Sequence, residues 1–141
     1  MSSIPAPAAD AVSDVVHRYY RLAGDLTAAE EELGALLHPD VRIVEHPNAI
    51  TPCGAVRGWA ETLQGHRSGR ALLREQEFVV QEVVVGGARA AVRAHWRATV
   101  GATRGPLTAG TRLEAFIASF LTVADGRIAE QETFDCYPPI G

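Results

Sequence analysis

Residues 112–137, RLEAFIASFLTVADGRIAEQETFDCY, decide the fold of this 141-residue chain. Two apolar-rich runs of strand length flank Asp125-Gly126, and both of these residues tolerate a positive φ, which favours a tight β-hairpin. The chain before this segment repeats the pattern, with glycines between the runs. The second half of the chain therefore predicts four consecutive strands, over residues 77–85, 88–100, 112–123 and 127–137.

The first half of the chain is mostly helical in pattern. From Asp10, apolar residues recur at spacings of three and four, which indicates one buried face. Thr27 is followed three residues later by Glu30, a capping-box pattern that predicts the start of a second helix, and His38-Pro39-Asp40 is expected to end it. The predicted elements are helices over 10–24, 27–37 and 59 to about 65, with a short strand over 41–45.

Composition excludes several classes of function. The chain is 47% hydrophobic and 21% charged, with a formal net charge of −4, as in a globular domain. All 13 basic residues are arginines, so lysine Schiff-base chemistry and a phosphate-loop lysine are excluded. The acidic balance argues against a nucleic-acid partner. No apolar run approaches the ~18 residues of a membrane helix, so no membrane partner is expected.

Cysteine usage and the first residues indicate the compartment. Cys53 and Cys136 lack the short spacing of a zinc or redox motif, and we expect free thiols, with a disulfide switch between them as the alternative. Residues 1–9 lack a basic cluster and an apolar stretch, so they predict a disordered tail, not a signal peptide, and a cytoplasmic protein. No residues have metal-ligand spacing, and neither a metal nor an organic cofactor is expected.

Helices followed by a run of antiparallel strands imply one α+β domain over residues 10–141. A curved sheet with the three helices across its concave side would enclose a pocket for a small ligand. The segments that point to a family are VVHRY (15–19), GDL (24–26), HPDV (38–41), VEHP (44–47), DGRI (125–128) and FDCYP (134–138). In these segments the chain resembles the superfamily of SnoaL-like polyketide cyclases, ketosteroid isomerases and nuclear transport factor two-like proteins. The resemblance implies their cone-shaped, cystatin-like roll.

The resemblance also assigns candidate catalytic positions. Ketosteroid isomerases place an aspartate base after the first strand, where this chain has His46, and an oxyanion tyrosine late in the first helix, which Tyr19 matches. Their second oxyanion donor, an aspartate, aligns with Ala118. The chain thus departs from ketosteroid isomerase, although histidine's ordinary pKa near ~6.5 suits proton abstraction at neutral pH.

Asp135 is the third catalytic candidate. The last strand alternates, so Gln131, Thr133 and Asp135 share one side, and the resemblance implies that this side faces the pocket. Asp135 would orient His46 or act as the base itself, with its pKa raised by desolvation. The competing interpretation is a strand-end carboxylate that caps a turn.

Alternation along the other strands predicts the pocket walls. The expected inward residues are Val92, Ala94 and Trp96, then Phe116, Ala118 and Phe120, together with Gln131 and Thr133, and Trp59 and Leu63 on the third helix as a lid. His95 is expected on the outer sheet face, where the resemblance implies a homodimer contact.

These residues lead to two hypotheses of different classes. The first is a cofactor-independent enzyme that uses acid–base chemistry on an apolar, cyclic carbonyl metabolite, as isomerase, cyclase, dehydratase or hydrolase. The second is a non-catalytic module of the same fold that binds a hydrophobic ligand or only dimerises. The catalytic hypothesis, as the sequence frames it, requires His46, Asp135 and Tyr19 to converge on one cavity.

Overall fold

The predicted hairpin at Asp125-Gly126 is present and joins the last two strands of the sheet. Asp125 has φ 55° and Gly126 φ 71°, the left-handed conformation that a two-residue hairpin turn requires. The strands on either side, β5 and β6, pair antiparallel from Phe116 opposite Cys136 to Ala124 opposite Arg127. This computed structural model describes residues 8–140.

The described chain contains three helices and six strands. In chain order they are α1 (Ala9–Gly24), α2 (Glu30–Leu36), β1 (Leu37–Glu45), β2 (Ala55–Arg57), α3 (Trp59–Leu72), β3 (Leu73–Gly86), β4 (Arg89–Val100), β5 (Arg112–Ala124) and β6 (Arg127–Cys136). The strands form one curved, unclosed sheet in the order β2-β1-β6-β5-β4-β3, which confirms the α+β fold class. None of the described helices is long and apolar enough to cross a membrane.

The sheet is mixed, not wholly antiparallel as predicted. β1 runs parallel to β6, with Ile43 opposite Gln131 and Glu45 opposite Thr133. A connection from β1 to β6 that spans the rest of the domain permits this parallel pairing, whereas adjacent hairpin strands must be antiparallel. The three residues of β2 were not predicted.

Several predicted boundaries shift in the first half of the chain. α2 begins three residues after Thr27, which instead donates its backbone N–H and its hydroxyl to Asp25 Oδ1. His38-Pro39-Asp40 lies inside β1, which starts at Leu37. α3 continues seven residues beyond Gly65, to Leu72. Of the predicted tail, residues 1–7 lie outside the described residues, and Ala9 already belongs to α1.

Helix α1 packs its apolar stripe on the concave face of the sheet. Val12 and Val16 are fully buried, and Tyr19, Tyr20 and Leu22 continue the buried face. The inward residues of β5, among them Leu121, complete the same core. Burial of a large aliphatic side chain contributes about 1.5–3 kcal/mol, so this layer supplies much of the stability.

The positive φ at Gly126 leads to a stability prediction. Gly126→Ala should lower the free energy of unfolding by about 1–2 kcal/mol, because a Cβ disfavours the left-handed conformation. Urea denaturation measures the loss. Gly86→Ala is the matched control, since an added Cβ there meets no atom within 4 Å and φ is not positive. Equal effects of the two substitutions would contradict the prediction.

Candidate active site

A cavity of about 400 Å³ lies between the concave face of the sheet and the helices, within the size range of small-molecule sites. Much of its wall is apolar and comes from α2, β1, β3, β4 and β5: Leu33, Ile43, Phe78, Trp96 and Ile117. Its polar members include Tyr19, Glu45, Arg57, His66, Gln131, Thr133, Asp135 and Tyr137. Within residues 8–140 no three His, Cys, Asp or Glu side chains are placed together as metal ligands.

The side-chain amide of Gln131 joins the helix to the floor of the cavity. Tyr19 donates its hydroxyl to Gln131 Oε1 at 2.6 Å. Gln131 Nε2 donates to Ser119 Oγ at 2.8 Å and to the Tyr20 hydroxyl at 3.3 Å. Burial raises the pKa of Tyr20 to about 12 and also raises that of Tyr19, so both phenols stay protonated. Because these hydrogen bonds are buried, they fix which face of β6 points inward.

Among the described residues, the carboxyl group of Asp135 accepts a side-chain hydrogen bond at one oxygen only. Thr133 donates its hydroxyl to Oδ1 at 2.7 Å. Desolvation by burial raises the pKa of Asp135, the Thr133 hydrogen bond opposes that shift, and the negative charge of Glu45 adds to it. A carboxyl group with a raised pKa beside an apolar wall is suited to accept and return a proton.

Glu45 and Arg57 form an ion pair at the edge of the cavity. Arg57 Nη1 lies 2.8 Å from Glu45 Oε1, and only 13% of the Glu45 side chain is exposed. Asn48 donates to Glu45 Oε2 at 2.7 Å. Desolvation raises the pKa of Glu45, but the hydrogen bonds from Asn48 and Arg57 outweigh it and the net shift is downward. Glu45 is therefore held ionised, whereas Asp135 is the carboxyl group poised to titrate.

Tyr137 brings a phenol to the same side of the cavity. Within residues 8–140 no side-chain hydrogen bond engages its hydroxyl. Burial raises the pKa of Tyr137, and the charges of Asp135 and Glu45 raise it further. The hydroxyl is thus a protonated donor close to two carboxylates.

The structure brings part of the predicted site together. Tyr19, Trp96, Gln131, Thr133 and Asp135 all line the cavity. Trp96 donates its indole N–H to Gln76 Oε1 at 2.9 Å, which holds the ring against the wall. The side of β6 that carries Gln131, Thr133 and Asp135 therefore faces the cavity, as the family resemblance implied.

His46 does not join this group, and the predicted convergence of His46 with Asp135 and Tyr19 is wrong. Its Nε2 lies 2.8 Å from Glu132 Oε2, and its ring stacks on Phe134 at a centroid distance of 4.3 Å. Glu132 and Phe134 alternate with the inward residues of β6, so His46 lies on the outer face of the sheet. The inward position at this strand end belongs to the preceding residue, Glu45.

The placement predicted for Phe116, Ala118 and Phe120 is also wrong. Phe116 is 52% exposed and Phe120 44% exposed, and Ala118 is exposed between them. The strand register explains the error, because Trp96 stands opposite Ala115 in the β4–β5 pair, and opposed residues share a face. Ala115 therefore points inward and Phe116 points outward, where it stacks on His95 at 4.9 Å.

Four other predicted pocket residues do not line the cavity. Val92 and Ala94 are buried under the helices. Leu63 is buried beside Gly34 of α2. Trp59 donates its indole N–H to the Gly34 carbonyl at 3.1 Å and stays partly exposed. The predicted lid of Trp59 and Leu63 thus packs against α2. A neighbouring face of α3 lines the cavity instead.

Sequence reasoning missed Glu45, Arg57, His66, Tyr20 and Tyr137. Alternation along β1 was a usable signal for Glu45, because it shares a face with the apolar Val41 and Ile43. No sequence pattern identifies Arg57, because its strand has only three residues.

Both cysteines are free and exposed.

Comparison with known proteins supports the fold and the family. The profile of the SnoaL-like domain matches residues 16–131. IdmH from Streptomyces antibioticus, proposed to be a polyketide cyclase, is 26% identical with a TM-score of 0.73, and the alignment covers 88% of this chain and 91% of that one. No curated protein matches the sequence significantly.

Two more distant structures share the fold alone. A SnoaL-like protein from Jannaschia sp., also proposed to be a polyketide cyclase, is 18% identical with a TM-score of 0.73, over 95% of this chain and 91% of that one. An epoxide hydrolase of Mycobacterium tuberculosis is 16% identical with a TM-score of 0.69, over 94% and 86%.

The raised pKa of Asp135 leads to a stability prediction. A carboxyl group whose pKa is higher in the folded state favours folding only while protonated, so its ionisation destabilises the protein as pH rises. Asp135→Asn should therefore be more stable than wild type at neutral pH. The difference should vanish below the ordinary carboxyl pKa of 3.8.

Thermal unfolding followed by circular dichroism from pH 3 to pH 8 checks this prediction. Asp14→Asn, on the exposed side of α1, is the control and should show no such trend. An Asp135→Asn variant that is less stable than wild type at neutral pH would show that the ionised carboxylate contributes favourably to folding.

Proposed function

The chain belongs to the SnoaL-like domain family, and on that premise we propose that it is a cofactor-independent acid–base enzyme acting on a mainly apolar carbonyl metabolite. The observation that carries the proposal is Asp135, a half-buried carboxyl group at the wall of the cavity with a raised pKa and, within residues 8–140, one oxygen that accepts no side-chain hydrogen bond. In this role Asp135 takes a proton from the carbon next to the carbonyl and later returns it.

The proposal assigns the stabilisation of the developing oxyanion to Tyr137. Charge that accumulates on a carbonyl oxygen needs a fixed donor in a site of low dielectric constant. The Tyr137 hydroxyl stays protonated, because burial raises its pKa, and it faces the cavity that Asp135 lines. Tyr19, the donor that the resemblance suggested, already gives its one proton to Gln131. Its role in this proposal is to position the floor of the site.

The Glu45–Arg57 pair completes the proposed mechanism by setting the charge around Asp135. The guanidinium of Arg57 lowers the pKa of Asp135 while Glu45 raises it. The effect of Glu45 is the larger of the two, so the pair on balance adds to the rise that burial causes, and the Thr133 hydrogen bond is what opposes it. A general base works best when its pKa lies near the working pH. Proton abstraction of this kind serves isomerisation or an intramolecular aldol cyclisation, and the apolar wall formed by Phe78 and Trp96 suits a cyclic substrate.

The experiment is hydrogen–deuterium exchange at the α-carbons of a bicyclic ketone. β-Tetralone in D₂O, followed by proton NMR, should lose its α-proton signals faster with wild-type protein than in buffer. Asp135→Asn should slow the catalysed exchange by about 10²–10⁴-fold, because the base is lost. Tyr137→Phe should slow it by about 10²-fold, because the oxyanion donor is lost.

The pH dependence and a control sharpen this test. Catalysed exchange should rise with pH and level off once Asp135 is ionised, with a midpoint above the ordinary carboxyl pKa of 3.8. His46→Ala should retain the full rate, since His46 lies on the outer face. If wild type binds the ketone and does not accelerate exchange, the non-catalytic binding module replaces this proposal.

We also propose that the outer sheet face forms a homodimer contact. Three exposed phenylalanines lie on that face: Phe116, Phe120 and Phe134. Phe120 and Phe134 meet edge to face at 6.2 Å, and the imidazoles of His46 and His95 extend the same aromatic surface. An exposed apolar patch ringed by polar groups is typical of a protein–protein contact.

Phe120→Glu tests the dimer. Light scattering after size-exclusion chromatography should give the mass of two chains for wild type and of one chain for the variant, because a charge in an apolar contact is costly to bury. Gln64→Glu makes the same charge change on the exposed side of α3 and should leave the dimer intact. A wild-type protein that elutes as a monomer at high concentration would contradict the proposal.

A further inference from the structure

Helix α3 presents an unusual row of residues to the cavity. Thr62, Gly65, His66 and Gly69 all line it, and they stand at positions i, i+3, i+4 and i+7. At this spacing a helix that packs on a core carries apolar side chains. We call these four residues the α3 row. The buried leucine of the helix, Leu63, lies beside α2 instead.

Neither crowding nor backbone conformation explains the two glycines of the α3 row. A Cβ added at Gly65 or Gly69 would meet no atom within 4 Å. Neither residue has a positive φ. A helix with glycine at an interior position is less stable than one with alanine there. The two glycines therefore destabilise α3, and no local contact compensates for the loss. Their effect is to leave open space along this wall of the cavity.

His66 is the polar member of the α3 row, and it is 9% exposed. Its Nε2 is buried and has no hydrogen-bond partner within residues 8–140. Burial lowers the pKa of His66, and the positive charge of Arg70 lowers it further, so the imidazole is neutral at neutral pH. A hydrogen bond to the Ala28 backbone opposes these two effects. Because Nε2 has no partner, that bond uses the proton of the other ring nitrogen, and Nε2 is left to accept a hydrogen bond from a hydroxyl group.

The surroundings of His66 differ from those of Asp135. Charges on Arg70, Glu30 and Asp25 act on His66, whereas Thr133, Glu45 and Arg57 act on Asp135. The two polar sites share no neighbour among these groups, and an apolar wall makes up much of the rest of the cavity. Glu30 and Asp25 disfavour an anion near His66, and Arg70 donates to the Ala28 carbonyl at 2.7 Å. An uncharged ligand group therefore fits best.

We propose that the α3 row is a second subsite, in which His66 Nε2 accepts a hydrogen bond from an uncharged hydroxyl group of the substrate. This inference rests on the proposed function and narrows its substrate class. The substrate is a flat, mainly apolar ketone that carries a second oxygen, distant from the carbonyl whose neighbouring carbon Asp135 deprotonates. The glycines of the row leave room for the ring that bears this oxygen.

Two ketones that differ by one hydroxyl group test the subsite. Isothermal titration calorimetry compares β-tetralone with its 6-hydroxy derivative, whose hydroxyl is on the ring remote from the carbonyl. Wild type should bind the hydroxylated ketone about tenfold more tightly, because the hydroxyl pairs with a buried nitrogen that otherwise has no partner. In His66→Phe the preference should disappear while the affinity for β-tetralone is kept. His66→Gln, which keeps a polar side chain, should recover part of the preference.

Stability and space provide independent readouts. His66→Phe should melt no lower than wild type, because it removes a buried polar atom that lacks a partner. Gly69→Leu should weaken the binding of both ketones by filling the row. Gln64→Leu, on the exposed side of the same helix, should leave binding unchanged.

The outcomes separate this inference from the proposed function. Asp135→Asn should lose α-proton exchange and retain the hydroxyl preference. A preference that persists in His66→Phe, or that wild type lacks, overturns the subsite. Exchange by wild type without any preference leaves the proposed function standing and removes only the subsite. A wild-type protein that binds neither ketone contradicts both.

Discussion

The buried amide of Gln131 is the interaction on which the site depends. Its oxygen accepts from Tyr19 and its nitrogen donates to Ser119 and Tyr20, so α1, β5 and β6 are tied together at one point. Each of these three hydrogen bonds has both its donor and its acceptor inside the protein, where an unpaired polar group would be destabilising. Because side chains alternate along a strand, an inward Gln131 places Thr133 and Asp135 inward as well. The orientation of Asp135, the proposed base, therefore follows from the hydrogen bonds of Gln131.

The cavity is built at the expense of stability. Burial opposes the ionisation of Asp135, and the nearly buried Glu45 needs Arg57 and Asn48 as partners. His66 has a buried nitrogen that finds no partner within residues 8–140. An apolar replacement at any of these positions would pack a simple core more favourably. Residues that locally disfavour folding tend to collect at functional sites. Such residues are concentrated around one cavity, beside the tightly packed layer that contains Val12 and Val16.

Much of the fold was readable from local pattern, and the errors have a common origin. The hairpin at Asp125-Gly126 depends on two residues that tolerate positive φ, so sequence reasoning located it. The inward side of β6 also came out as predicted. The face of β5 did not, because both of its faces carry apolar residues, and alternation shows only which residues share a face. The predicted placement of His46 was wrong for a related reason. The resemblance indicated only the end of a strand, and a shift of one residue moves a side chain to the other face of the sheet.

The sequence by itself determined the class of the fold, the order of the helices and the long strands, and the presence of Tyr19, Trp96 and Asp135 as candidate residues. The helices and strands depend on periodicity and turn chemistry, which act over a few neighbouring residues, whereas the candidate residues came from the family resemblance together with the alternation along each strand. Only the tertiary structure decided that Glu45, Arg57, His66 and Tyr137 line one cavity with Asp135. This arrangement of the cavity depends on the register between β4 and β5, on the parallel pairing of β1 with β6 and on the packing of α3. These are contacts between residues far apart in the chain, and no local pattern encodes which of several compatible arrangements buries the most apolar surface.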